Sequence, residues 1–194
     1  MGVSVSYWKS AMNKVAVFGN TGGGKSTLSI RLSAITGLPL HILDKIQYRS
    51  GGERVSLEEY NRAYHDILAT DQWIIDGYGS LDSLWPRLKA ADTLIYIDMP
   101  LPVHFWWVTK RLFTGRIYPP TGWPENSPIL KSSVSSYRVL WRCHKYLTPK
   151  YRNFIKQTEG SKNIYHLRSR AQISRFFKSM ENESNSDSEQ KISR

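Results

Sequence analysis

Gly19-Asn20-Thr21-Gly22-Gly23-Gly24-Lys25-Ser26 decides how this chain is read. Glycine is dense enough in this stretch for the backbone to curl and point successive N–H groups at one anion. Just before it, residues 15–18 are a short apolar run with two valines, the pattern of a buried strand. Just after it, Leu28, Leu32 and Ile35 recur at helical spacing, and Gly37 and Pro39 stop the pattern. Strand, glycine loop and helix in that order make an anion cradle, to which the helix adds its positive dipole end. The spacing G-x-x-x-x-G-K-S also supplies an ammonium and a hydroxyl. Lys25 is expected to reach the β- and γ-phosphates of ATP, Ser26 to ligate Mg²⁺, and Thr27 to hydrogen-bond the α-phosphate. Residues Gly19 through Thr27 are thus the expected ATP site.

The rest of the chain alternates. Strands are expected at 40–43, 73–75, 93–97 and 163–166. Helices are expected at 57–69, where Ser56 with Glu59 makes a capping box, and at 81–90. Further helices are expected at about 102–113 and 131–147, and from a Ser169 cap to about Met180. Strand–helix alternation predicts a parallel sheet with right-handed crossovers and helices on both faces. The expected fold is therefore α/β: the three-layer P-loop NTPase fold, with a five-stranded parallel sheet and a small Arg-rich lid. Residues 1–13 read as an N-terminal extension, 14–180 as the domain, and 181–194, nearly devoid of apolar side chains, as a disordered tail. The segment 115–128, rich in Pro and Gly, reads as a loop within a lid at about 111–130.

Ligands of such sheets bind at the carboxyl ends of the strands, so the aspartates there matter most. Asp76 closes Trp73-Ile74-Ile75-Asp76-Gly77 and is expected to hold Mg²⁺ with Ser26. Gly77 and Tyr78 would then lie against a substrate. Asp44 closes the second strand and is expected to accept a proton from, or orient, an acceptor hydroxyl. Asp98, before Met99-Pro100, reads as a turn residue. Phosphoryl transfer calls for cations around the γ-phosphoryl group. Arg111 and Arg116 flank the hinge of the lid, and Arg138 and Arg142 share one helix face at i and i+4. Phe105-Trp106-Trp107 reads as core packing.

The 194 residues suit one domain. No apolar run approaches the ~20 residues of a membrane span, and the opening stretch has no apolar segment like a secretory leader. Cys143 is the only cysteine, so no internal disulfide framework exists and a cytoplasmic setting is expected. The net charge of +11 attracts anions: nucleotides, nucleic acid or acidic lipid.

Three segments together resemble adenylate-kinase-type P-loop kinases: GNTGGGKST, WIIDGYG and KRLFTGRIYPPTGW. The closer resemblance is to the bacterial adenylate-kinase-related kinases also known as DNA topology modulation proteins. They combine the loop with His-x-Leu-Asp-Lys, here from His41 to Lys45, and Trp-Ile-x-Asp-Gly, here from Trp73 to Gly77. The resemblance implies phosphate or transition-state roles for Lys25, Arg111, Arg116, Arg138 and Arg142, and the magnesium role for Asp76. The chain departs from adenylate kinases where AMP binds. Thr-Gly-Asp is missing after strand two, and Tyr78-Gly79-Ser80 stands where Phe-Pro-Arg would follow Asp-Gly. Arg87, on the next helix, is the expected substitute, and Asp44 resembles the acceptor-binding aspartate of shikimate- and gluconate-type kinases. The expected activity is an ATP-dependent kinase acting on a nucleotide, nucleoside or small hydroxyl metabolite. The alternatives are an ATP-binding regulatory protein that meets nucleic acid through its basic surface, and a peripheral membrane ATPase using Trp106 and Trp107.

Overall fold

A computed structural model describes residues 12–114 and 129–192; the side chains at 111, 112, 114, 129–135 and 183–192 lie outside the description. Five strands make one sheet in the order β2-β3-β1-β4-β5, every pair parallel. They are β1 (Lys14–Gly19), β2 (Leu40–Ile42), β3 (Trp73–Asp76), β4 (Thr93–Ile97) and β5 (Asn163–Leu167). The helices are α1 (Lys25–Thr36), α2 (Leu43–Gln47), α3 (Leu57–Ala69), α4 (Leu81–Ala90), α5 (Leu101–Thr114), α6 (Ile129–Arg142), α7 (Thr148–Thr158) and α8 (Arg170–Ile192), with a π-helical turn Cys143–Leu147 between α6 and α7.

The handedness of crossovers explains the layers. The chain moves leftward from β1 to β2 through α1, then rightward through α3, α4 and α7. Right-handed connections put these two sets on opposite faces, and the core divides accordingly. Val15 and Val17 of β1 face Leu28 and Leu32 of α1 and Phe176, Phe177 and Met180 of α8. Ala16 and Phe18, pointing the other way by strand alternation, face Tyr60, Tyr64, Leu84, Leu88, Tyr151 and Ile155. Strand β1 sits where the winding reverses, which places its carboxyl end in the crevice.

Local chemistry sets most boundaries. Ser56 accepts from the Glu59 N–H and starts α3. The reciprocal capping box lies at α4 instead, where Ser80 and Ser83 each bond the other's backbone. Gly19 has φ 139°, and a Cβ there would sit 2.2 Å from the Ile97 carbonyl of β4, so no other residue fits this end of β1.

Several elements differ from the sequence reading. Strand β2 stops at Ile42, and Asp44 lies in the one-turn helix α2 rather than at a strand end. The helix expected over 131–147 is α6 followed by the π turn, and α7 continues it to Thr158, where no helix was expected. Helix α8 runs past Met180 to Ile192. Asp98 is no mere turn residue: its carboxylate takes Arg152 Nε at 2.9 Å and Nη2 at 3.0 Å, and His166 Nε2 at 2.9 Å. These bonds tie α7 to the ends of β4 and β5. The aromatic triplet splits. Phe105 stacks on Tyr137 of α6, Trp107 is half-buried, and Trp106 is exposed.

Candidate phosphate-binding and acceptor site

The loop from Gly19 to Lys25 joins β1 to α1 at the centre of the sheet's carboxyl edge. Gly24 caps α1 in the left-handed conformation, φ 80°, and no side chain caps that helix. Gly24 thus offers the first-turn N–H groups no side-chain acceptor, the arrangement in which a helix N-terminus takes an anion. Lys25 lies just past the cap, and its Nζ donates to the Asn20 carbonyl at 2.9 Å, folding the ammonium back over the loop. Asn20 is itself buried. Its amide donates to the Leu140 carbonyl of α6 at 3.1 Å, and its Oδ1 accepts the Thr21 N–H at 2.8 Å. Ser26 and Thr27 open α1 beside it.

Asp76 ends β3, paired in register with Val17 of β1. It is 1% exposed, and among the described residues neither carboxylate oxygen has a partner at full hydrogen-bond geometry, although the Ser26 hydroxyl and the Gly77 backbone lie close enough to favour its charged form. Burial pushes its carboxyl above the usual range, opposed by the Lys25 charge, the Ser26 hydroxyl, Arg87 and the Gly77 backbone. A buried carboxylate without a hydrogen bond is costly. The Asp76 carboxylate oxygens and the Ser26 hydroxyl are hard oxygen donors, so these residues fit Mg²⁺.

Arg87, on α4, is fully enclosed. Its Nη2 donates to the Gly77 carbonyl at 2.8 Å, while Nε and Nη1 have no partner among the described residues. Burial lowers its pKa, opposed by Tyr64, Tyr151, Tyr60 and Asp76 around it. Arg87, the expected substitute for the substrate arginine of adenylate kinases, thus holds the backbone just past β3 from an enclosed position. Asp44 lies across from that backbone: a Cβ at Gly77 would be 3.8 Å from Asp44 Oδ1. Tyr78 is half-buried, with Cys143 and Arg142 within electrostatic reach. Cys143 in turn feels Lys25 and Arg142, and burial raises its pKa.

The structure therefore brings Lys25, Ser26 and Gly77 to Asp76, and Arg142 with Cys143 to Tyr78, while Asp44 lies beside Gly77. Arg138 is exposed one turn before Arg142. The Arg111 side chain and all of Arg116 lie outside the described residues. Sequence reasoning missed Cys143, placed here by a π turn that leaves no sequence signal, and His104, whose Nδ1 lies 2.8 Å from the Thr21 carbonyl. A histidine on a buried helix face three residues past Leu101 was the available hint.

No family model matches the chain, and no curated protein matches it. Solved structures do. Shikimate kinase from Acinetobacter baumannii in complex with shikimate aligns with TM-score 0.53 at 14% identity, covering 94% of this chain and 94% of that one. A sugar kinase from Janibacter sp. HTCC2649 aligns over 87% of this chain and 94% of its own, at 16% identity and TM-score 0.43. Deoxyadenosine kinase from M. mycoides with bound dATP aligns over 86% and 98%, at 12% identity and TM-score 0.43. The shikimate kinase match, spanning both chains nearly end to end, shows a shared fold: this is an α/β chain with the sheet and helices of P-loop kinases.

Proposed function

We propose that this chain is an ATP-dependent phosphotransferase that moves the γ-phosphoryl group of ATP·Mg to a nucleotide, a nucleoside or a small hydroxyl metabolite. The observation that carries the reading is the buried Asp76 carboxylate, without a partner at full hydrogen-bond geometry among the described residues, beside Lys25 and Ser26 of a glycine loop. The loop N–H groups and the α1 N-terminus bind phosphate oxygens. Lys25 leaves the Asn20 carbonyl for the β- and γ-phosphates, and Thr27 bonds the α-phosphate. Ser26 and Asp76 would hold Mg²⁺, which when bound would screen the phosphate charge. Asp44 orients the acceptor hydroxyl and takes its proton. The acceptor lies against Gly77 and Tyr78, whose backbone Arg87 fixes from behind. Arg138 and Arg142, with Arg111 and Arg116 of the lid, offset the charge that spreads over the transferring group. Calorimetry with MgATP, then ADP release across nucleoside monophosphates, nucleosides and hydroxy acids, tests it. Uptake of MgATP and turnover with one acceptor class is expected, and Lys25→Ala abolishes that turnover. Full activity in Lys25→Ala overturns the mechanism.

A second reading, an ATP-binding regulatory protein that contacts nucleic acid, has its own support. Between Asp98 and Glu159 the sequence has ten Lys and Arg and one acidic residue, Glu125. Trp106, Phe113, Trp141 and Tyr146 in this stretch are all more than half exposed. Aromatics interleaved with cations suit stacked bases and phosphates. Retention on single-stranded DNA that falls steeply with salt, without turnover of any acceptor, favours this reading over the first.

A further inference from the structure

Helix α5, which leads into the lid segment, forms one wall of the glycine loop. A Cβ at Gly22 would lie 2.8 Å from Val108 Cγ2 and 3.2 Å from the His104 carbonyl oxygen. One at Gly23 would lie 3.0 Å from His104 Cε1, and one at Gly24 3.0 Å from the Trp107 ring. Three successive loop positions are thus pressed on one helix. Within that contact stands one polar link: His104, 2% exposed, with Nδ1 2.8 Å from the Thr21 carbonyl oxygen.

A carbonyl oxygen only accepts, so at the 2.8 Å contact with Thr21 the proton belongs on His104 Nδ1, with the Met99 backbone also near the ring. The ring is neutral at ordinary pH, since burial and then the Lys25 charge push its pKa down to about 4. The described chain has no cis peptide bond. In a planar trans peptide the C=O of one residue and the N–H of the next point opposite ways. Drawing the Thr21 carbonyl toward α5 therefore turns the Gly22 N–H away from α5, into the loop. The Thr21 N–H is gripped as well, by Asn20 Oδ1 at 2.8 Å. Both peptide groups of Thr21 are fixed by buried side chains outside the loop's own backbone.

We infer that His104 is a positioning residue for the phosphate loop: its Nδ1–H sets the Thr21–Gly22 peptide plane and so aims the Gly22 N–H at a bound phosphate. The inference rests on the phosphotransferase reading above. It adds a buried residue of α5 to the phosphate loop itself, read so far from β1 and α1 alone.

The test uses the full chain, MgADP as probe, calorimetry for affinity and thermal unfolding for stability. His104→Asn keeps an N–H near the Nδ1 position, His104→Gln moves it outward, and His104→Leu removes it. His104→Leu and His104→Gln are expected to bind MgADP about tenfold more weakly, the scale of one lost hydrogen bond. His104→Asn is expected to stay within about threefold of the wild type. The Asn and Gln variants are matched in chemistry, so their difference in affinity reports donor position even if the Leu variant is poorly folded. Equal MgADP affinity of the Asn and Gln variants, or wild-type affinity in a folded Leu variant, overturns the inference alone. A wild type that takes up no MgADP overturns the phosphotransferase reading and the inference with it.

Discussion

Strand β1 is flanked by two strands that each lead into an aspartate, and the two carboxylates live opposite lives. Asp76, at the end of β3, is 1% exposed, and among the described residues neither oxygen has a partner at full hydrogen-bond geometry. Asp98, just past β4, is 9% exposed and takes three hydrogen bonds from Arg152 and His166. Burial acts on both. At Asp76 it wins and the pKa rises. At Asp98 it is outweighed by the bonds and charges of Arg152 and His166, and the pKa falls. A carboxylate satisfied by its own protein stabilises a fold. One left bare and buried costs stability.

Exchanging each for its amide sharpens the contrast. The largest effect is expected from Asp76→Asn, a fall in magnesium-dependent turnover of roughly 10²–10³-fold, the scale of losing one electrostatic catalytic group. Its thermal midpoint should hold or rise, because a buried unpaired charge is removed. Steady-state ADP release beside a melting curve reads both, and a melting point that drops sharply with activity intact reverses the assignment.

Next comes Asp98→Asn. It weakens charge-assisted bonds that anchor α7, at about 2 kcal/mol, and so lowers the melting temperature by about 4–8 °C in a chain of this size. Turnover per folded molecule should stay within about twofold of wild type, on the scale of a site that keeps its contacts. The Arg152 partner is half exposed, with side-chain accessibility of 54%, which keeps the loss moderate.

The two aspartates also predict opposite pH slopes. The stability that Asp98 supplies is present above the ordinary carboxylate range and is lost as pH falls through its depressed folded pKa. Asp76 acts in reverse. Its folded pKa is raised, so its cost is absent in acid and appears as pH rises through that value. Chemical denaturation from acid to neutral pH should show Asp98→Asn with less acid loss than wild type. Asp76→Asn should show a gain that grows toward neutral pH. Parallel curves for all three proteins remove the contrast.

The smallest effect on ligand binding concerns packing behind β1. Leu32→Ala, in the core between α1 and the sheet, should cost about 2–5 kcal/mol in stability while leaving MgATP affinity within about twofold once folded, since no loop contact is lost. Denaturant unfolding and calorimetry separate the two. A large affinity loss there would mean that the loop depends on α1 packing more than on α5.

The two strand ends also mark how far the sequence could be read. Trp73-Ile74-Ile75-Asp76 and Thr93 through Asp98 look alike as strings: apolar runs closed by a carboxylate. Their difference comes from Arg152 and His166, 54 and 68 residues away from Asp98 in sequence. Helix α7 was unread because its buried residues, Tyr151 and Ile155, sit among Lys, Arg and Asn. Arg87 was read as substituting for a substrate arginine, and the fold adds that α4 packs it inward under Tyr60 and Tyr64, to hold the Gly77 carbonyl. The position of the loop between β1 and α1, by contrast, was legible, because the apolar run before it and the helical spacing after it are consecutive in sequence.

The sequence by itself determined the alternating strands and helices, the parallel sheet, the glycine cradle and the lysine and serine that open α1, since these follow from local periodicity and backbone freedom. Only the tertiary structure decided which aspartate is bare, that Arg87 is enclosed, and that α5 and α6 grip the loop through His104 and Asn20. Those facts depend on which side chains meet across long stretches of chain, and burial of a charge is a property of the packed surroundings, not of the residue.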